Sequence, residues 1–209
     1  MAKSRPGLVT LGLSAAAVLG YVAYRLVAPH APETPPPANA AEQEQEQAPP
    51  RQLAETLPDF TLANLEGQPQ SITSLAGKPM LINFWATWCG PCLREIPMLK
   101  EMQTARPDIQ IVGIAVDKRD AVGKFAGEQA FNYPILVGQS EAWSAAAALG
   151  VDVYALPFTV FTGADGAVLG VHTGELHAEH LAEFRAVVDD LAAAKIGIQD
   201  ARSRLAGRM

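Results

Sequence analysis

From Pro58 onward, apolar residues gather into short blocks whose spacing switches between that of strands and that of helices. Asp59-Phe60-Thr61-Leu62 and Gln70-Ser71-Ile72 flank a loop containing Gly67 and predict a β-hairpin. Met80 to Ala86 is a nearly continuous apolar run, the pattern of a central strand buried on both faces. Pro91 to Thr104 then places Leu93, Ile96, Leu99 and Met102 at helical intervals. A second buried-strand pattern covers Ile109 to Val116, followed by a helix over Asp120 to Ala130, a short strand at Ile135-Leu136-Val137 and a helix over Glu141 to Leu149. Phe158 to Thr162, the turn Gly163-Ala164-Asp165-Gly166 and Ala167 to His172 predict a terminal hairpin. An amphipathic helix over Ala178 to Ala193 closes the domain. Alternating strands and helices with a final hairpin predict an α/β domain over residues 53–194, a central mixed β-sheet flanked by helices.

The chain ahead of this domain has a different texture. Lys3 and Arg5 precede an apolar stretch from Leu8 to Tyr24, about the minimum for one membrane span. Basic residues on that side place the start of the chain in the cytoplasm and export the rest. Residues 1–28 therefore read as a signal-anchor; a cleaved signal peptide is the rival, with Ala38-Asn39-Ala40 as a cleavage box well beyond the apolar run. Residues 29–52, rich in Pro, Glu and Gln, cannot bury enough apolar surface to fold and read as a disordered tether. At the other end Lys195, Arg202, Arg204 and Arg208 are scattered among small residues, and 195–209 reads as a solvated tail. The formal net charge of −6, with no basic stripe, argues against a nucleic-acid partner.

The chemistry concentrates in Trp88-Cys89-Gly90-Pro91-Cys92, which holds both cysteines of the chain at the predicted strand-to-helix junction. There the two sulfurs can meet across the first helical turn, and the helix N-terminus favours an ionised thiol. Pro91 fits and stiffens that turn. A zinc site needs further ligands, which only His30, His172, His177 and His180 could supply, so no metal is assigned. A structural staple is the other reading, and a poor one, because so short a loop constrains the unfolded chain little. No cofactor is called for.

Over Leu57 to Leu191 the chain resembles the membrane-anchored TlpA/ResA-like thiol–disulfide oxidoreductases of the thioredoxin superfamily. The resemblance is carried by Pro58-Asp59-Phe60-Thr61-Leu62, Asn83-Phe84-Trp85-Ala86-Thr87-Trp88-Cys89-Gly90-Pro91-Cys92, Glu95-Ile96-Pro97 and Leu156-Pro157-Phe158-Thr159, in that order. It implies a thioredoxin fold with an N-terminal hairpin and a strand–helix insertion at Lys118 to Gly138. That insertion would pack over a sheet edge or dock a partner. It also implies a redox-active disulfide, with Cys89 attacking and Cys92 resolving the mixed disulfide. Pro157 would follow a cis peptide bond, and Leu156 would offer backbone groups to an extended substrate. Without the resemblance, Pro157 reads as a strand-start proline.

Thioredoxin itself carries a buried aspartate six positions before its first cysteine; this chain has Asn83 there. An amide exchanges no proton, so Glu95, three positions after Cys92 and present as a glutamate in the family, becomes the candidate proton relay. The competing reading is a solvated helix-stabilising glutamate. Trp88, with Gly90 and Pro91, would face the client, Trp85 would pack in the core, and Pro97 would kink the helix.

Cys-Gly-Pro-Cys goes with reducing members of the superfamily. The expected protein is an inner-membrane, single-pass reductase with its catalytic domain in the periplasm. A membrane thiol carrier would reduce it, and it would reduce disulfides of clients such as apocytochrome c or a copper-site protein. A thiol oxidase or isomerase is the alternative; such enzymes often carry a histidine between the cysteines, which this chain lacks.

Overall fold

A computed structural model describes residues 52–152 and 155–207, so the expected anchor and all but the last residue of the expected tether lie outside the described residues. Seven strands form one mixed sheet: β1 (Thr61–Asn64), β2 (Pro69–Ser71), β3 (Met80–Trp85), β4 (Gln110–Val116), β5 (Ile135–Gly138), β6 (Phe158–Thr162) and β7 (Val168–Thr173). Their spatial order is β2-β1-β5-β4-β3-β6-β7. Among the described residues five α-helices accompany them: α1 (Gly90–Ala105), α2 (Arg119–Gln129), α3 (Ser140–Ala148), α4 (Ala178–Ala192) and α5 (Ile198–Ala206). Strands β3, β4 and β5 run parallel, as their helical crossovers require; β1, β2, β6 and β7 are antiparallel to their neighbours.

Alternation along the central strand sorts the core into two layers. Leu81 and Trp85 face α1 and α4, in a cluster with Cys92, Ile96, Leu99, Phe161 and Phe184. Met80, Ile82 and Phe84 face α3, with Val112, Ile114, Ala145, Ala146 and Phe158. Asn83 has the parity of Leu81 and Trp85, so its polar side chain points beneath α1. Helix α1 continues through Pro97, which sits at an exposed position.

Two expectations need correction. The insertion does not cover a sheet edge: β5 is an interior strand, paired parallel with β4 and antiparallel with β1. Ile135, Leu136 and Val137 are all buried, which an edge strand would not need. The rest of the insertion lies over Trp85, whose ring has Phe125 and Phe131 each at 5.5 Å. The C-terminal segment is not a solvated tail. Helix α5 buries Ala201 and Leu205 completely, and a side chain at Gly170 on β7 would crowd Leu205, so the glycine makes the notch that receives it. The arginines there are anchored. Arg202 donates to the carbonyls of Val168 and Glu55, and Arg204 pairs with Glu183 and Asp190.

Candidate active site: the dithiol and a buried carboxylate

Strand β3 runs into Ala86, and the next three residues turn the chain into α1. Asp117, just past the end of β4, holds this turn: its Oδ2 accepts both the Thr87 N–H at 3.1 Å and the Thr87 hydroxyl at 2.5 Å. Cys89 is the N-cap of α1, with extended backbone, and its Sγ accepts the Cys92 N–H at 3.4 Å. Pro91 occupies the first turn, where a missing N–H costs nothing. The two cysteines are joined as a disulfide, with their Cα atoms 5.3 Å apart. Cys92 is fully buried and Cys89 nearly so, while Gly90 is exposed and Trp88 keeps 70% of its surface in solvent. Trp88 is the one large apolar side chain so exposed among the described residues.

Cys92 and Glu95 are three positions apart on α1, and both belong to its buried face. Glu95 is 1% exposed, so it is not a solvated surface glutamate. Its carboxylate has two donors: the Asn83 amide reaches Oε1 at 2.7 Å and the Leu176 N–H reaches Oε2 at 2.8 Å. Asn83 also donates to the Thr159 hydroxyl at 3.1 Å, its antiparallel partner on β6. Burial disfavours the charged carboxylate and outweighs the two donors, which favour it. The Glu95 pKa therefore rises from the ordinary 4.5 to about 7. Such a group exchanges protons readily near neutral pH.

The peptide bond between Leu156 and Pro157 is cis. The β3–β6 register pairs Phe84 with Phe158, so these two residues extend the ladder past β6, beside the segment that leads to Cys89. Leu156 is half-buried and packs against the cluster that contains both cysteines. The Pro157 carbonyl is occupied by the Gly174 N–H at 2.9 Å.

Sequence reasoning singled out Cys89, Cys92, Glu95, Pro157, Trp88, Gly90, Pro91 and Leu156; the fold gathers them at one end of β3, α1 and β6. It missed Asn83 as a donor to Glu95, although strand parity already points residue 83 to the face of Leu81. It also missed Thr159 and Leu176. A backbone N–H such as that of Leu176 leaves no trace in residue type. The ring of half-buried His180 lies 4.1 Å from that of the buried His172. Among the described residues no group of three or more His, Cys, Asp or Glu converges to hold a metal.

A mixed sheet carrying a Cys-x-x-Cys disulfide at the N-terminus of its central crossover helix, with a cis-proline segment beside it, defines a thioredoxin-superfamily dithiol protein. The chain belongs to the Redoxin family, which it matches over residues 52–190, and within the superfamily it is TlpA/ResA-like. It is 31% identical over 132 residues to the thiol-disulfide oxidoreductase ResA of Geobacillus thermodenitrificans, covering 62% of this chain and 74% of that protein. It is 30% identical over 133 residues to the thioredoxin-like protein YneN of Bacillus subtilis, covering 60% and 74% respectively. Among solved structures, a thioredoxin-family thiol:disulfide interchange protein from Chlorobium tepidum is similar. Its TM-score is 0.55 at 31% identity, with 64% of this chain and 93% of that chain covered. The chain is accordingly a thiol–disulfide oxidoreductase with Cys89–Cys92 as its redox centre.

Proposed function

We propose that this protein works as a reductase of selected protein disulfides outside the cytoplasm. It would be tethered to the inner membrane by residues 1–28, with its domain in the periplasm. The observation that carries the chemistry is the unequal pair of sulfurs, one at the helix cap next to exposed Trp88 and one buried on the face of Glu95. In the reduced enzyme the Cys89 thiolate attacks one sulfur of a client disulfide. That S–S bond breaks, the other client sulfur leaves as a thiolate and takes a proton, and Cys89 is left in a mixed disulfide. The Cys92 thiol then gives its proton to the Glu95 carboxylate and attacks the Cys89 sulfur. The enzyme disulfide forms, the second client thiolate is released and protonated, and two electrons have passed to the client. A dithiol donor, here a membrane thiol carrier, must supply the next pair.

Leu156 supplies backbone groups for an extended client segment, cis-Pro157 sets its position facing the cysteines, and Trp88, Gly90 and Pro91 form the rest of the seat. The direction rests on Gly90-Pro91 and on the absence of a histidine between the cysteines. Clients of the cytochrome c maturation or copper-site assembly type fit a reducing enzyme in an oxidising compartment. The test is the reduction potential of the purified protein, equilibrated with thioredoxin or glutathione buffers. A value near roughly −270 mV supports the reductase, whereas one near roughly −120 mV makes it an oxidase. Cys92→Ser should trap clients as mixed disulfides, and alkylation by a membrane-impermeant reagent in intact cells reports the compartment. Glu95→Gln should slow disulfide reduction and flatten its pH profile; an unchanged profile removes Glu95 from the chemistry.

A further inference from the structure

The turn between β7 and α4 makes three contacts that converge on the site and one with His172 on β7. Its Gly174 N–H bonds the carbonyl of cis-Pro157 at 2.9 Å. The Glu175 carbonyl faces His172 Nε2 at 3.2 Å. The Glu175 carboxylate takes a forked pair of bonds from Arg94, with Nε at 3.0 Å from Oε1. The Leu176 N–H bonds Glu95 Oε2 at 2.8 Å. Arg94 and Glu95 are consecutive on α1, and Glu175 and Leu176 are consecutive in the turn. The structure is thus a two-rung clamp, an ion pair on the outside and the buried carboxylate bond directly beneath it. Gly174, at φ +102°, gives the turn a conformation that other residues rarely adopt.

We propose that Arg94 and Glu175 are positioning residues for thiol–disulfide exchange, closing the β7–α4 turn onto α1 so that the Leu176 N–H holds the Glu95 carboxylate beside Cys92. Through Gly174 the same turn grips the cis-proline segment, so the proton relay and the client seat share one support. This rests on the reading of Glu95 as the relay.

The groups that bear on Glu95 are few. Asn83 and Thr159 come from β3 and β6 and do not titrate. Cys92 lies on the same face of α1. Tyr133, between α2 and β5, is buried; burial pushes its pKa up, and the Glu95 charge adds to that. Glu175 acts on Glu95 through space, and its negative charge raises the Glu95 pKa slightly. That last effect provides a discriminating sign. If Glu175 mattered only as a charge, Glu175→Ala would lower the titration midpoint of Glu95. If it positions Leu176, its loss frees the turn, removes a hydrogen bond from the carboxylate and raises the midpoint.

The experiment is a carbon-13 NMR titration of the Glu95 carboxyl in the oxidised full-length protein, its resonance identified by its loss in Glu95→Gln. Wild type should titrate at about 7. Glu175→Ala and Arg94→Gln should each move the midpoint up by roughly half to one pH unit, the scale of one hydrogen bond to a charged group. Exchange of the Leu176 amide with solvent should quicken in both, and the charge reversal Arg94→Glu with Glu175→Arg should restore the wild-type midpoint. The variants should fold, because exposed ion pairs contribute little to stability. A midpoint that stays put or falls in Glu175→Ala, with wild type still near 7, overturns the clamp alone. A wild-type Glu95 that titrates like a surface glutamate overturns both the clamp and the relay.

Discussion

Replacing Glu95 by Gln should leave stability nearly unchanged in acid and make the variant the more stable of the two proteins at alkaline pH. Glu95 is raised from 4.5 to about 7, chiefly by burial, and is almost fully enclosed. A group whose folded pKa lies above its unfolded one binds its proton more tightly in the native state. It therefore contributes stability that is fully present below pH 4.5 and is lost as pH rises through about 7. A displacement of that size, at about 1.4 kcal/mol per pH unit, corresponds to about 3 kcal/mol across the window. Gln has the shape of the protonated acid, and its carbonyl oxygen can still accept from one of the two N–H groups. At pH 4.5 the variant should match wild type within about 1 kcal/mol. By pH 8 wild type carries a buried charge that Gln lacks, and the variant should be the more stable by about 2–3 kcal/mol. The assay is guanidinium unfolding of the oxidised proteins at constant ionic strength from pH 4 to 9, read as the difference between the two curves. Every other titrating group cancels in that difference to first order. A flat difference curve would refute the reasoning, because it would mean that Glu95 ionises at the same pH folded and unfolded.

Three further outcomes follow from the packing. Leu205→Ala should cost about 2–4 kcal/mol in a denaturant melt, because Leu205 is fully buried in the Gly170 notch; a cost below about 1 kcal/mol would return α5 to the status of a solvated tail. Gly150→Ala should cost roughly 1–3 kcal/mol or more, because the residue sits at φ +78° and a Cβ would lie 2.2 Å from the Gln52 carbonyl oxygen; thermal unfolding at unchanged Tm would contradict it. Trp88→Ala should leave stability within about 0.5 kcal/mol. It should lower kcat/KM for a disulfide-bonded protein while sparing a small dialkyl disulfide; equal turnover of both would remove Trp88 from the client seat.

The parts of this fold that were legible are those in which one segment carries its own signal. The run Met80 to Ala86 specifies a strand buried on both faces, and Leu93, Ile96, Leu99 and Met102 specify a helical stripe. Gly90-Pro91 between two cysteines marks the first turn of that helix. What could not be read is what depends on a partner distant in sequence. Ile135-Leu136-Val137 announces a strand, yet its periodicity says nothing of its place between β4 and the much earlier β1. Ala201 and Leu205 are the buried residues of α5, and the notch that receives Leu205 is Gly170, a residue indistinguishable in sequence from a turn glycine. Within the site, Cys89, Cys92 and Glu95 were readable from residue type and spacing. The support of Glu95 was not, since one of its donors is a main-chain N–H and the other an amide whose relevance depends on strand parity.

Asn83 and Glu95 make sense only as a pair. Their polar atoms are 2.7 Å apart in a layer otherwise built of Leu81, Trp85, Cys92 and Ile96. Two carboxylates at that distance in so dry a place could not both ionise, and the proton they shared would belong to neither sulfur. With an amide on the strand, the site holds one acid, and its position is determined by donors from β3 and from the β7–α4 turn. The amide oxygen and nitrogen are not interchangeable here. Only the NH₂ end can face Glu95 when the carboxylate is charged, and the Thr159 hydroxyl accepts from the same nitrogen. Exchanging the strand aspartate of thioredoxin for asparagine therefore does more than delete an acid. It leaves the one acid of the site on the helix, on the buried face of Cys92, and places that carboxylate where a turn that also contacts the cis-proline segment can hold it.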